Sequence, residues 1–260
     1  LYIISIPITR DKSYISCHHP VSAAQAQKFP LVHKLESKVT SLALKGWTKL
    51  STSKNSVNVR VTKFVQNLLD SILYEENCLT SFPSKSTMVR EIKQSIQQET
   101  KLMQTEIDNL SIPLDQLKPI TVYHPEFQSP EEVLAQMQRF RANSYQHHKK
   151  WAILSAIAVP LTLPFALVPV LPNIPGFYAA YRLYCNVKAL LGVKHLDYLL
   201  QSDTHHLTFK AVPALDKAYS QTETGEMLLT QNTIDDLGSL GLDHLKSDLQ
   251  KALKQEAAKL

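Results

Sequence analysis

The sequence predicts an α+β protein, mostly α-helical: a helical hairpin plus a small β-sheet, with a proline-rich kinked or hairpin membrane segment. Three observations lead there. β-rich runs are few and short, apolar residues elsewhere recur at spacings of three and four, and one run of 31 residues, 151–181, carries no charge at all. The chain has 260 residues, 44% hydrophobic and 20% charged, which is enough for a substantial core. Composition excludes intrinsic disorder, collagen and a disulfide scaffold. Cys17, Cys78 and Cys185 lie too far apart for a disulfide framework or a CxxC zinc knuckle, and their sparseness points to a reducing or redox-neutral compartment.

Taken in order, residues 1–9 (LYIISIPIT) and 13–17 (SYISC) read as a β-hairpin, with Pro7 placing the first strand at an edge. Leu31, Leu35, Val39, Leu42, Gly46 and Leu50 mark one face of a helix. A second helix starts near Val57, with Val61, Phe64, Val65, Leu68, Leu69 and Ile72 inward, and breaks in LYEENCLTSFPS (73–84). A third, capped by Ser86 or Thr87, carries Val89, Ile92, Ile96, Met103, Ile107 and Leu110 inward and Gln94, Gln97, Gln98 and Gln104 outward. The second and third helices make an antiparallel hairpin with the break as its loop.

ITVYH (120–124) is a short strand, and Ser129-Pro130-Glu131-Glu132 starts a long helix. Residues 177–200 are again helical, 207–212 (LTFKAV) are a candidate strand, and Leu242, Leu245, Leu249, Leu253 and Leu260 line an amphipathic C-terminal helix. Three regions follow: strands and helical hairpin over 1–128, the apolar segment with its two helices over 129–202, and a strand with an amphipathic helix over 203–260. The chain begins at Leu1 without a methionine, which leaves open a cleaved or trimmed leader.

The net charge of +5 is local, because residues 133–196 hold no Asp or Glu but seven Lys or Arg. Five prolines, Pro160, Pro164, Pro169, Pro172 and Pro175, crowd the apolar run, so it is no ordinary helical span. Three geometries remain. One is a kinked span over 151–171, another a re-entrant hairpin whose helices return to one side, and the third a hairpin buried within a domain. A hairpin aligns Lys149, Lys150, Lys188 and Lys194 on one face against anionic headgroups, cardiolipin among them, with Trp151, Tyr178, Tyr181 and Tyr184 as an interfacial belt. Lipid fits this pattern better than nucleic acid, since the charge brackets an apolar stretch.

Pro172-Asn173-Ile174-Pro175 forces a break. It is a packed turn, a cation site, or a helix start with Asn173 as cap. Arg182, just beyond it, needs an acid from outside the basic run, and Glu75 or Glu76 is the expected partner. Cys17-His18-His19 reads as structural, since neighbours on a strand face opposite ways, and His147-His148-Lys149-Lys150 as a headgroup-facing helical turn. No nucleotide, hydrolase or zinc-peptidase motif occurs, so neither an enzyme nor a cofactor is expected.

VLPNIPGFYAAYRLYCNVKALLGVKHL (170–196) resembles the signature of the mitochondrial K+/H+ exchange-related proteins, and LLDSILYEENCLTSFPS (68–84) is similar to a second block of that family. Cys185-Asn186-Val187 departs from the family's more aromatic and basic triplet. The resemblance implies an inner mitochondrial membrane protein required for, or regulating, K+/H+ exchange and so matrix volume, with no catalytic residues to carry over. The apolar run itself offers no carboxylate or histidine, and one hairpin encloses no pore, which favours an accessory subunit working with other exchanger subunits or as a homo-oligomer. The alternative is a lipid-binding or scaffold protein anchored by an apolar hairpin.

Overall fold

Period-two alternation in the first strands sends isoleucines to both faces of a sheet, and helices cover both. The computed structural model describes residues 1–19, 48, 52, 56–83, 88–93, 101–162, 164, 174–201, 207–220 and 225–260. Its elements are, in order, β1 (Tyr2–Pro7), β2 (Ser13–His18), α1 (Ser56–Asp70), α2 (Tyr74–Thr80), β3 (Val89–Glu91), β4 (Lys101–Met103) and α3 (Gln104–Leu110). There follow β5 (Ile120–His124), α4 (Pro130–Leu161), α5 (Ile174–Leu200), β6 (Leu207–Ala211), α6 (Pro213–Tyr219), α7 (Gln231–Leu237) and α8 (Lys246–Ala257). The chain forms two compact units, one of residues 1–19 with 74–260 and one of 20–73, which holds α1. The fold is thus α+β and mostly helical, with a small mixed sheet.

The sheet order is β2-β1-β5-β6, with β1 antiparallel to β2 and parallel to β5, and β5 parallel to β6. Ile4, Ile6 and Tyr14 face Tyr74 and Cys78 of α2 and Leu215, Ile234, Leu237 and Leu249 of the C-terminal helices. Ile3, Ile15, Cys17, Ile120 and Val122 face Val133 and Met137 of α4 and Leu196 and Leu199 of α5. Each such side chain, fully buried, contributes about 1.5–3 kcal/mol. Cys17 is buried and its neighbour His18 exposed, as strand alternation requires.

β1 lies inside the sheet, which corrects its expected edge position. Its pairing with β5 covers only Tyr2, Ile3 and Ile4, so Pro7 lies beyond that ladder and its missing N–H is harmless. The Pro7 carbonyl instead accepts a 2.7 Å hydrogen bond from the Tyr219 hydroxyl.

The predicted helix over 31–50 lies outside the described residues, Thr48 apart. α1 agrees with the second predicted helix, although Phe64 is exposed rather than inward. The third does not form as one helix: Val89–Glu91 and Lys101–Met103 pair as an antiparallel ladder, and among the described residues of that stretch only Gln104–Leu110 is helical, Gln94, Ile96, Gln97 and Gln98 lying outside them. Pairing with residues 116–118 decides this, through Lys93 N–H to the Gln116 carbonyl (2.6 Å) and Lys118 N–H to the Glu91 carbonyl (2.8 Å). Gln104, expected outward, is buried and bonds Asp108. The predicted hairpin of second and third helices therefore does not form, and its expected loop is the buried helix α2.

The helical hairpin of this fold is α4 with α5, the crossover that parallel strands β5 and β6 require. Ser129 and Glu132 form a reciprocal capping box at its start, with Pro130 at the first helical position. The 32 residues of α4 rise about 48 Å. Arg141 meets Asp197 and His148 meets Asn186, so the helices run antiparallel and their charged feet share one end. α4 ends at Leu161, and of the expected span over 151–171 only 151–162 and 164 lie among the described residues. Among the described residues no helix is long and apolar enough to cross a membrane, so the expected transmembrane helix is not found there.

Candidate functional site

The YEENCLT run folds into α2, and its side chains go to different walls. The Gln255 side chain accepts from Tyr74 N–H at 3.0 Å, Glu75 and Glu76 occupy the first turn, and Ser81 Oγ returns to the Cys78 carbonyl at 2.6 Å. Pro83 follows the end of the helix. Tyr74 and Cys78 enter the core beside Tyr14. Asn77 donates to Asp248 Oδ1 at 2.7 Å, while Tyr14 Oη donates to Asp248 Oδ2 at 2.8 Å. Leu79 packs on Ala189 and Val193. A Cβ at Gly192 would run into the Leu79 carbonyl, so the close approach of α2 to α5 requires glycine there.

Glu76 points into the foot of the hairpin and meets Arg182. Nη1 donates to Oε2 at 3.0 Å and Nη2 to Oε1 at 2.7 Å, a two-bond fork. The side chains are only 14% and 5% exposed. Burial pulls the guanidinium pKa down, but the hydrogen bond and charge of Glu76 outweigh it and the net shift is upward. The network continues into α4. Asn186 Nδ2 donates to the Arg182 carbonyl at 2.7 Å, and its Oδ1 stands 3.0 Å from His148 Nδ1, so in neutral His148 that nitrogen carries the proton. His148 and Asn186 are almost wholly buried, and burial holds the His148 pKa below its ordinary value against the Asn186 hydrogen bond.

Of the expected partners, Arg182 takes Glu76 and not Glu75. Glu75 lies near Glu256, which is paired with Lys12 at 2.7 Å and Lys259 at 2.6 Å, and burial raises its pKa. His148 is a correction: it faces inward rather than toward headgroups, while Lys149 and Lys150 are exposed. Residues 172 and 173 of the break lie outside the described residues. Pro175 is the second residue of α5, where its missing N–H costs nothing. Tyr178 is half-buried near Arg182, and Tyr181 is exposed. The contact between Asn186 and His148 is not legible in the sequence, since nothing in their spacing marks them as facing each other.

Beyond this foot, the hairpin exposes apolar side chains: Leu161 at 69%, Phe177 at 73%, and Ile153 and Ile157 at about half. Below it, Lys149 and Lys194 line a groove of about 740 Å³ between α4 and α5. Lys149 Nζ stands 5.7 Å from the Tyr145 ring centre, and Lys188, elsewhere on α5, 5.0 Å from that of Tyr184. Among the described residues no group of three or more His, Cys, Asp or Glu is placed to hold a metal ion.

A family model described as mitochondrial K+-H+ exchange-related matches residues 2–200. The chain belongs to that family. The match contains both halves of the clamp, Glu76 in the second sequence block and Arg182 in the first. A Saccharomyces cerevisiae protein described as uncharacterized is 34% identical to this chain over 269 residues, covering 97% of this chain and 83% of that one. A similarly described Schizosaccharomyces pombe protein is 28% identical over 224 residues, covering 86% and 85%. No solved structure matches the chain.

Proposed function

We propose that the protein is an accessory component of mitochondrial K+/H+ exchange, held at the inner membrane by the tip of the α4–α5 hairpin, which enters one leaflet without crossing. The observation that carries this reading is the exposure of Ile153, Ile157, Leu161 and Phe177 around the tip. A helix apolar on all sides belongs in a core or in lipid, and exposed clusters of this kind mark interaction sites. The depth agrees: residues 151–161 rise about 16 Å, roughly half of a hydrocarbon core of about 30 Å. Ala152, Ser155 and Ala179 are the buried residues on the inner seam of the tip, small side chains of the kind that let helices approach closely in lipid.

The accessory role rests on where the titratable groups lie. Ion exchange within a bilayer needs polar groups at membrane depth. The described part of the tip carries none that titrate except tyrosine, while Glu76, Arg182 and His148 sit at its foot. The test is potassium acetate swelling of mitochondria with and without the protein, beside flux through the purified chain in vesicles. Loss of swelling without the protein, no flux by the chain alone, and retention in the pellet after alkaline carbonate are expected. Proton-coupled K+ flux by the chain alone overturns the accessory role. Unchanged swelling leaves a lipid-anchored scaffold, and quantitative carbonate release removes the membrane reading.

A further inference from the structure

We propose that the groove between α4 and α5 binds one anionic phospholipid, its phosphate at Lys149, at the tip end, and one acyl chain running along Val187, Leu190 and Leu191 toward Lys194. The inference rests on the membrane reading only for the source of the lipid. The volume, about 740 Å³, falls within the range of about 300–1,000 Å³ usual for small-molecule sites. Its lining asks for an amphiphile. Val187 and Leu191 are apolar yet nearly half exposed, which costs free energy unless something apolar covers them.

The charges ask for an anion. Arg141, Lys149 and Lys194 line the groove against one acid, Asp197, which Arg141 already holds at 2.7 Å. Two positive charges remain in excess. The antiparallel register sets the direction: Asn186 beside His148 puts Val187 and Lys149 at the tip end, and Asp197 beside Arg141 marks the other end. With the tip in a leaflet, the tip end of the groove opens at headgroup level, where phospholipids are the amphiphiles at hand and the excess positive charge selects the anionic ones. A nucleic acid has no use for the apolar floor, and a second copy of this chain would bring the same excess positive charge.

The test uses a lipid that needs no membrane. The full chain is titrated by calorimetry with dihexanoyl phosphatidylglycerol below its micellar concentration. Saturable binding to one site is expected, about tenfold weaker for the phosphatidylcholine analogue and undetectable for glycerol phosphate, which has the anion without the chain. Lys149→Gln should weaken binding about fivefold, roughly what one basic side chain near an anionic headgroup is worth. Leu191→Asp, at a half-exposed position and checked to keep the native unfolding midpoint, should abolish it. Absence of saturable binding overturns the proposal and leaves the groove to an acidic partner helix, and so does binding that neither variant weakens. Ile157→Asp with Phe177→Asp, at the tip, should lose vesicle binding and keep the monomeric lipid, so failure of the groove and failure of the membrane reading are told apart.

Discussion

At its foot the α4–α5 hairpin buries polar groups and satisfies them, whereas at its tip it exposes apolar groups and covers them with nothing from the described chain. The foot joins three helices through Glu76, Arg182, Asn186 and His148, each with a partner at 2.7–3.0 Å. The tip has, among the described residues, the small buried side chains of Ala152, Ser155 and Ala179 along its two helices. One pair of helices thus carries two kinds of construction. Stability should reside in the foot and attachment in the tip, and substitutions in each should leave the other property alone.

The largest effect on stability is expected at the fork. Arg182→Gln leaves the Glu76 carboxylate buried without its charge partner, and breaking such a pair costs about 3–5 kcal/mol. Denaturant unfolding should show this loss while membrane association of the folded fraction persists. Glu76→Gln should be comparable, and the double variant should cost clearly less than the sum, because no unpaired charge remains. Strict additivity would show that the two side chains act independently.

Gly192→Ala tests the same foot by shape instead of charge. The added methyl meets backbone at Leu79, which cannot rotate away, so α2 must shift. Overpacking of this kind costs about 1–3 kcal/mol. An unchanged unfolding midpoint would mean that α2 is loosely seated and that the fork, not packing, sets its position.

His148 gives the foot a pH dependence. Its folded pKa is lowered by burial, helped by Arg182 and opposed by the Asn186 hydrogen bond and by Glu76. The unfolded imidazole, with an ordinary pKa of about 6.5, binds its proton first as pH falls. Stability from this group is therefore complete above about pH 6.5 and declines below it, by at most about 1.4 kcal/mol per pH unit. His19, His147 and His195 are shifted the same way, so the measurement is the difference in unfolding midpoint between the native chain and His148→Gln across pH 7.5 to 5.5. Parallel curves would show that His148 is protonated as easily folded as unfolded.

How much of this was legible depended on whether a local signal decided the outcome. The strands at 2–7, 13–18 and 120–124 follow from period-two apolar patterns, and the start of α4 from Ser129, Pro130 and Glu132, since a capping box is written in four adjacent residues. That Arg182 needs an acid from elsewhere was legible because residues 133–196 contain none. The choice of Glu76 over Glu75 was not, because neighbours on a helix point about 100° apart and the sequence does not say which way α2 is rolled. Residues 89–110 misled because Val89, Ile92 and Met103 suit a helical stripe as well as two short strands, and the partner that decides, 116–118, is nonlocal. His148 and Asn186 are polar residues on apolar helices, and only the register of α4 against α5 brings them together.

The smallest effect on stability, and the sharpest division between the two ends, is expected at the tip. Ile157 and Phe177 are 54% and 73% exposed and touch little that a charge would disturb. Exposed substitutions of this kind stay within about ±0.5 kcal/mol, so Ile157→Asp with Phe177→Asp should unfold at nearly the native midpoint. In lipid the same change is severe, since an aspartate at the centre of a membrane helix is disfavoured by about 2.5–3.5 kcal/mol and the apolar gain of two side chains is lost as well. Vesicle flotation should therefore fall from bound to free while the melting curve barely moves. A marked loss of stability in this variant would show that the tip is packed in the folded chain, and the leaflet reading would then give way to a buried hairpin.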